Sequence, residues 1–369
     1  MTQATRALID LSALQHNLRR VRELAPASRV MAIIKADAYG HGGVRVARAL
    51  ADADGFGVAR LEEAIALREA GIRQPITLLA GFLEADELPA IAQHRLSAVV
   101  HHMGQIDILE HMPPPSPISV WLKIDSGMHR LGFAPDQARA AWQRLRACAG
   151  VADIRLMTHL ANADERGDGA TARQVACFNE AVAGLPGERA IANSAGIVAW
   201  PDSRRDWVRP GIMLYGVSPF PATTGAQEGL RPAMTLHSRL IAVHALRKGD
   251  AVGYGGAWVC PQAMPVGVVA IGYGDGYPRH AAPGTPVLVN GARAPLIGRV
   301  SMDMLCVDLR AQPDARIGDP VVLWGADLPV EEIARHAGAI PYELLCGVAR
   351  RVQSVAVESG AVEDVRGAR

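Results

Sequence analysis

The chain has 369 residues, enough for two domains or for one large barrel with an appendage. Its 38 basic and 37 acidic residues leave a net charge of +1, which removes any electrostatic case for nucleic acid or an anionic membrane surface. Hydrophobic residues make up 49% of it, yet no apolar run approaches the roughly 18–20 residues of a membrane span. A soluble globular protein with a sizeable core is expected.

The first 20 residues are interrupted by Asp10, His16 and Arg19, unlike an export signal. The five cysteines, Cys148, Cys177, Cys260, Cys306 and Cys346, are odd in number and contain no C-x-x-C pair. Free thiols in a reducing cytoplasm are the expectation.

In chain order, Arg6–Asp10 reads as a strand that can pair with either domain. From residue 30 to about 220, short β-branched runs alternate with stretches of helical spacing. The expected strands are Val30–Ile34, Gly55–Ala59, Ile76–Ala80, Leu96–Val100, Ile118–Ile124, Asp153–Thr158, Arg189–Asn193 and Arg209–Tyr215. The expected helices are Gly43–Ala53, Leu61–Ala70, Ala85–Gln93, Gln105–His111, Pro135–Ala149 and Ala170–Ala183. Strands alternating with helices imply right-handed βαβ units and a parallel sheet. Eight strands fit a closed (β/α)8 TIM-type barrel; an open doubly wound sheet satisfies the same pattern.

Beyond Leu230 the texture changes to strand-like runs: Met234–Ala245, Pro265–Ile271, Thr285–Val289, Ala294–Val300, Met304–Asp308 and Pro320–Leu323. Helical spacing returns only at Glu331–His336. Asn290-Gly291 between two runs favours a type I′ turn, since both residues tolerate positive φ. A mostly antiparallel β domain is expected, joined through a Pro-, Gly- and Thr-rich linker at Phe220–Gly229. The expected division is 8–225 for the barrel, with 1–7 and 226–369 in the second domain.

The most informative segment is Lys35-Ala-Asp-Ala-Tyr39-Gly-His-Gly42. A lysine closes an apolar strand, and a Gly-rich loop then enters a helix. The C-terminal strand ends form the active face of such barrels. Partial burial there lowers an amine's pKa and equips it to form an imine with an aldehyde cofactor.

This segment resembles the pyridoxal-phosphate signature of the alanine racemases, and further motifs follow in order along nearly the whole chain. They are Lys123-Ile-Asp-Ser-Gly-Met-His-Arg130, Thr158-His159-Leu160, Ala192-Asn193-Ser194-Ala195, Val208-Arg209-Pro210-Gly211-Ile212, Gly253-Tyr254-Gly255, Ile271 to Tyr277, and Gly298 to Asp303. The resemblance implies a homodimeric enzyme that interconverts L- and D-alanine with pyridoxal 5′-phosphate, for peptidoglycan or for alanine catabolism.

By this resemblance Lys35 carries the cofactor and acts on the D-enantiomer, while Tyr254 acts on the L-enantiomer from the partner subunit. Tyr39, Tyr342, Ser194 and the backbone at Gly211 and Ile212 would hold the phosphate, and Asn193 would also bind the cofactor. Such barrels commonly keep phosphate sites near the ends of strands seven and eight; Ser194 ends strand seven, and Arg209 to Ile212 lie on strand eight. Arg209 would face the ring nitrogen with His159 beside it. Since arginine cannot accept the ring proton, the carbanion would be less delocalised and promptly reprotonated. Arg130 and the backbone of the partner's Met302 would take the substrate carboxylate. Lys123 would be carbamylated, which needs a neutral amine of depressed pKa.

Two positions depart from the family pattern. Ala190 stands where some members have a histidine that orients the tyrosine, and Ser301 where many have cysteine. Three alternatives remain: a pyridoxal racemase of broader specificity, such as for serine; a barrel-type decarboxylase, which Arg209 argues against; and a non-catalytic pyridoxal-binding protein, which usually lacks a second domain. Neither His101-His102 nor Gly40–Gly43 provides metal or nucleotide chemistry.

Overall fold

The computed structural model describes residues 4–358. The outermost parts of the expected second domain, 1–3 and 359–369, lie outside the described residues.

Strand β1 (Arg6–Asp10) opens the chain and runs into a helix, Leu11–Leu24, that the sequence reading left out. Its signal was present. Asp10 caps it, its Oδ1 accepting the N–H groups of Ser12 and Ala13 at 2.9 and 3.0 Å. Ala13, Leu14, Leu18 and Val21 recur at helical spacing and are all buried.

Eight strands follow: β2 (Arg29–Ile33), β3 (Gly55–Val58), β4 (Ile76–Leu78), β5 (Ser97–Val100), β6 (Ile118–Lys123), β7 (Val151–Met157), β8 (Arg189–Ala190) and β9 (Trp207–Val208). All pair in parallel, and β9 returns to β2 through Arg29↔Trp207 and Val30↔Val208, so the sheet is a closed barrel. The open-sheet alternative is thereby excluded. Every residue of β3, β4 and β5 is buried, as in a parallel sheet covered on both faces. Phe56, Ile76 and Leu78 are fully enclosed, each worth about 1.5–3 kcal/mol of burial.

The last two barrel strands are shorter than expected. The regular strands end at Ala190 and Val208, although Arg209 N–H still donates to Ala192 O and Ile33 N–H to Pro210 O, both at 2.9 Å, and the expected strand Arg209–Tyr215 becomes a connection followed by a 3₁₀ turn, Ile212–Tyr215. Pro210 has no N–H to give to a ladder, which ends the strand. Arg209, Gly211 and Ile212 therefore stand beyond strand eight, not on it. Likewise Ser194 opens a short helix, Ser194–Ala199, with Asn193 as its N-cap.

The second region contains β10 (Met234–Leu246), the small hairpin β11 (Ala251–Val252) and β12 (Trp258–Val259), then β13 (Met264–Val269), β14 (Pro286–Val289), β15 (Ala292–Ile297), β16 (Leu305–Asp308), β17 (Pro320–Trp324) and β18 (Gln353–Val357). Seven of these and the first strand form one sheet in the order β13-β16-β15-β14-β17-β10-β1-β18, with β13 also pairing β10. All its pairings are antiparallel except β1–β18. The turn between β14 and β15 has φ of 49° at Asn290 and 80° at Gly291, as its sequence requires.

Two features bear on the organisation. Strand β1 belongs to this second sheet, so a division at residues 7/8 falls inside one strand. The expected linker is not a loose tether: the N–H groups of Ser218 and Gly225 both donate to Glu331 Oε1, at 3.0 and 2.8 Å, and Phe220 is buried.

Candidate active site

At the C-terminal ends of the barrel strands lies a cavity of about 640 Å³. Lys35, Tyr39, Lys123 and Arg130 line it, as do His159, Asn193, Ser194, Arg209, Gly211, Ile212 and Tyr342. Residues read from five separate motifs, together with Tyr342, thus meet in one space. A shallower groove of about 590 Å³ at the opposite strand ends is lined by none of them.

Lys35 stands directly after β2. The next four residues, Ala36, Asp37, Ala38 and Tyr39, all have positive φ, between 51° and 54°. This is one turn of left-handed helix built from L residues, a conformation costing roughly 1–2 kcal/mol per residue. Neighbouring groups fasten it. Asp37 Oδ1 accepts the Gly43 N–H at 2.6 Å, and Glu63 Oε1 accepts that of Ala36 at 2.6 Å. His41 Nδ1 lies 3.0 and 2.9 Å from the carbonyls of Ala38 and Tyr39, so that nitrogen carries the proton and donates. Burial pushes His41 down to about 4, so the ring is neutral. The turn throws Tyr39 back over the barrel mouth, where its ring packs 4.7 Å from Tyr215 and 5.9 Å from Tyr342.

Tyr342 arrives from a short helix, Pro341–Cys346, which the sequence reading did not expect. Burial and the charge of Asp164 push its hydroxyl up to about 12, and burial raises Tyr39 further. Both are neutral donors at physiological pH. Ser194 Oγ accepts the N–H groups of Gly211 and Met213 at 2.9 and 3.4 Å, leaving its own hydrogen free to donate. Gly211 is fixed by space: a Cβ there would lie 2.7 Å from Tyr39 Oη.

Arg209 is buried at the floor. Its Nη2 donates to the carbonyls of Thr158 and Ile191 and lies 3.5 Å from His159 Nδ1. Its Nη1 is buried with no hydrogen-bond partner. Burial lowers the guanidinium to about 10, so it stays cationic at neutral pH. His159 lies far below the ordinary histidine range, from burial and then from Arg209, so it accepts from the arginine rather than competing as a cation.

The cavity is strongly cationic. Lys35, Lys123, Arg130 and Arg209 face Asp164 as the one carboxylate among the described lining residues. Burial first and Arg130 second lower Lys35. Lys123, only 8% exposed, falls to about 8 through burial and then the charges of Arg209, Arg130 and Lys35. Such a space suits an anionic group with a hydrogen-bond acceptor at its floor.

Tyr254 and Met302 are not brought here. Tyr254 sits on a 3₁₀ turn, Tyr254–Gly256, and is 68% exposed; Met302 lies between β15 and β16 and is 54% exposed. The Met302 loop is held firmly nonetheless. Gly274 N–H donates to the Met302 carbonyl at 2.8 Å, and Arg351 bridges Asp275 and Asp303 at 2.8 and 2.7 Å. Sequence reading assigned no role to Glu63, His41, Asp164 or Arg351. Glu63 was visible only as a helix-capping glutamate.

Known proteins carry the same pattern. The profile described as "Alanine racemase, N-terminal domain" matches residues 9–219, and "Alanine racemase, C-terminal domain" matches 233–356. The chain is 59% identical to an alanine racemase of Nitrosococcus oceani, over 94% of this chain and 97% of that protein. It is 54% identical to the biosynthetic alanine racemase of Escherichia coli, over 95% and 98%. The crystal structure of the biosynthetic alanine racemase from Pseudomonas aeruginosa superposes with a TM-score of 0.94 at 46% identity, covering 97% of this chain and all of that one. Fold, order of motifs and relatives agree: the chain belongs to the alanine racemase family.

Proposed function

We propose that this chain interconverts L- and D-alanine with pyridoxal 5′-phosphate held in the barrel mouth. The observation that carries the reading is the buried, unpartnered Nη1 of Arg209 at the floor of a cationic cavity whose rim presents the Lys35 amine. A pyridine nitrogen lacking a proton would supply the missing acceptor. Tyr39, Tyr342 and Ser194 offer hydroxyls to a phosphate, with Asn193, Gly211 and Ile212 beside them. The residues present therefore fit the group. When bound, it would tie up the substrate's amino group and spread the electron pair left as Cα loses its proton.

Lys35, lowered toward neutrality by burial and Arg130, takes or returns the proton on one face of Cα. Tyr254 of a second copy serves the opposite face, and the Met302 backbone of that copy with Arg130 binds the substrate carboxylate. The exposure of Tyr254 and Met302 supports this homodimeric arrangement. Arg209 would donate to the cofactor's ring nitrogen without protonating it, and neutral His159 holds Arg209 in place. Lys123, an amine at about 8, is a fit target for carbamylation, which would turn a third neighbouring cation into a partner for Arg130. With Ala190 in the family's histidine position, water or another group orients Tyr254.

We further read the barrel that follows strand β1, through residue 225, as the cofactor-binding unit, and 226–358 together with β1 as the second. A cytoplasmic setting fits five free thiols; no described helix is long and apolar enough to cross a membrane.

Incubation with pyridoxal phosphate followed by borohydride should fix an adduct on Lys35, found by peptide mapping. L-alanine should lose optical rotation faster than L-serine or L-lysine. No adduct, or no preference for alanine, would reject the reading.

A further inference from the structure

A left-handed turn of four L residues is not held by its own hydrogen bonds alone, and its first N–H is not bonded within the turn. Ala36 N–H instead donates to Glu63 Oε1 at 2.6 Å, across to the element that follows β3. Glu63 Oε2 accepts the N–H groups of Ala59 and Arg60, at 2.8 and 3.1 Å. Glu63 is the third residue of the helix Leu61–Glu69, an ordinary place for a capping glutamate, and Oε2 does that ordinary work. Oε1 does something else: it leaves its own helix and grips the peptide immediately behind Lys35. On the other side of Lys35, Ile34 N–H donates to Gly57 O at 2.9 Å. The backbone is thus fastened to β3 and its loop both before and after the lysine.

We infer that Glu63 is a positioning residue for Lys35: its carboxylate bridges the ends of β2 and β3 and fixes where the lysine amine stands in the cavity. This rests on the reading of Lys35 as the cofactor-bearing base. Three N–H donors converge on the two oxygens, so no other side chain is equivalent. Glutamine has one acceptor oxygen and would set its NH₂ against an N–H on the other side. Aspartate is a methylene shorter. Glu63 also opposes the lowering of Lys35, whose other charged or titratable neighbours are Arg130, Lys123, His159 and Cys346.

The test uses the holoenzyme with Glu63→Gln and Glu63→Ala, and exposed Glu62→Gln as control. For Glu63→Gln, kcat should fall by about ten- to a hundredfold, since small misplacements of a reacting group are that expensive. KM for alanine should stay within about twofold, because the groups that bind the carboxylate are untouched. Release of pyridoxal phosphate should accelerate, and the pH midpoint of the visible chromophore should move down. Glu62→Gln should match wild type in all four. A Glu63→Gln protein with a lowered Tm but wild-type kcat, cofactor release and midpoint is merely uncapped, and overturns the proposal. Wild type itself gives a readout that needs no variant: the Ala36 amide should exchange slowly with deuterium, and fast exchange overturns the proposal even if the variants do not fold. Absence of a borohydride-fixed adduct on wild-type Lys35 defeats the underlying reading as well; an adduct with unaltered Glu63→Gln defeats only the role of Glu63.

Discussion

The barrel mouth and the Tyr254–Met302 edge of the β region are built on opposite principles. Around Lys35 the backbone is tied on both sides, Tyr39 is buried between two tyrosines, and Arg209 is locked by carbonyls. Tyr254, in contrast, rides a Gly-flanked turn and is 68% exposed. Racemisation needs acid–base groups on both faces of Cα. On the proposed roles, a chain that buries Lys35 and displays Tyr254 is complete on one face only. The exposed half therefore makes sense against a second copy, as a C2 pairing would give.

The largest effect should come from Lys35→Ala, with at least about 10⁴-fold loss of racemisation in both directions, since the amine is both anchor and base. Tyr254→Phe should cost roughly 10²–10⁴-fold, and Cα–H exchange from L-alanine should suffer more than from D-alanine. Equal losses would reject the two-face assignment. These two variants also test the comparison directly. Mixed and reassembled, inactive Lys35→Ala and Tyr254→Phe proteins should recover about a quarter of wild-type activity, because half the dimers hold one intact composite site. No recovery would place both faces in one chain.

Gly211→Ala should act on the buried half alone. Its Cβ would come within 2.7 Å of Tyr39 Oη, so the tyrosine must shift. Cofactor affinity should fall by about tenfold, measured by equilibrium dialysis, with dimer mass unchanged.

The smallest effect concerns charge. Lys123 falls from its usual 10.5 to about 8 in the folded protein. The unfolded chain binds the extra proton between those values, so stability should rise as pH climbs from about 8 to 10.5, and the penalty is full below 8. Of the order of 3 kcal/mol is at stake. With carbon dioxide excluded, Lys123→Met should remove that rise and raise Tm at neutral pH. An unchanged pH profile would mean that Lys123 is not a cation in the native state.

Much of this was legible in the sequence because it depends on local rules. The alternation of strand and helix, the lysine closing an apolar strand, the Asn290-Gly291 turn and the change of texture past Leu230 all reflect spacing or turn chemistry within a few residues. The motifs named the cavity's residues before any of them were seen to meet. The helix Leu11–Leu24 is equally local, with its Asp10 cap and apolar spacing. Three things belonged to the tertiary structure. The left-handed turn after Lys35 runs against the intrinsic preference of alanine, and Glu63, Asp37 and His41 help its own backbone hydrogen bonds to hold it. Strand β1 joins the second sheet because its partners, β10 and β18, come from the far end of the chain. Arg209 keeps one donor unpartnered because the carbonyls that take the other come from residues 158 and 191. Periodicity reports which face of a segment is apolar; it does not carry hydrogen bonds between loops that only closure of the barrel brings together.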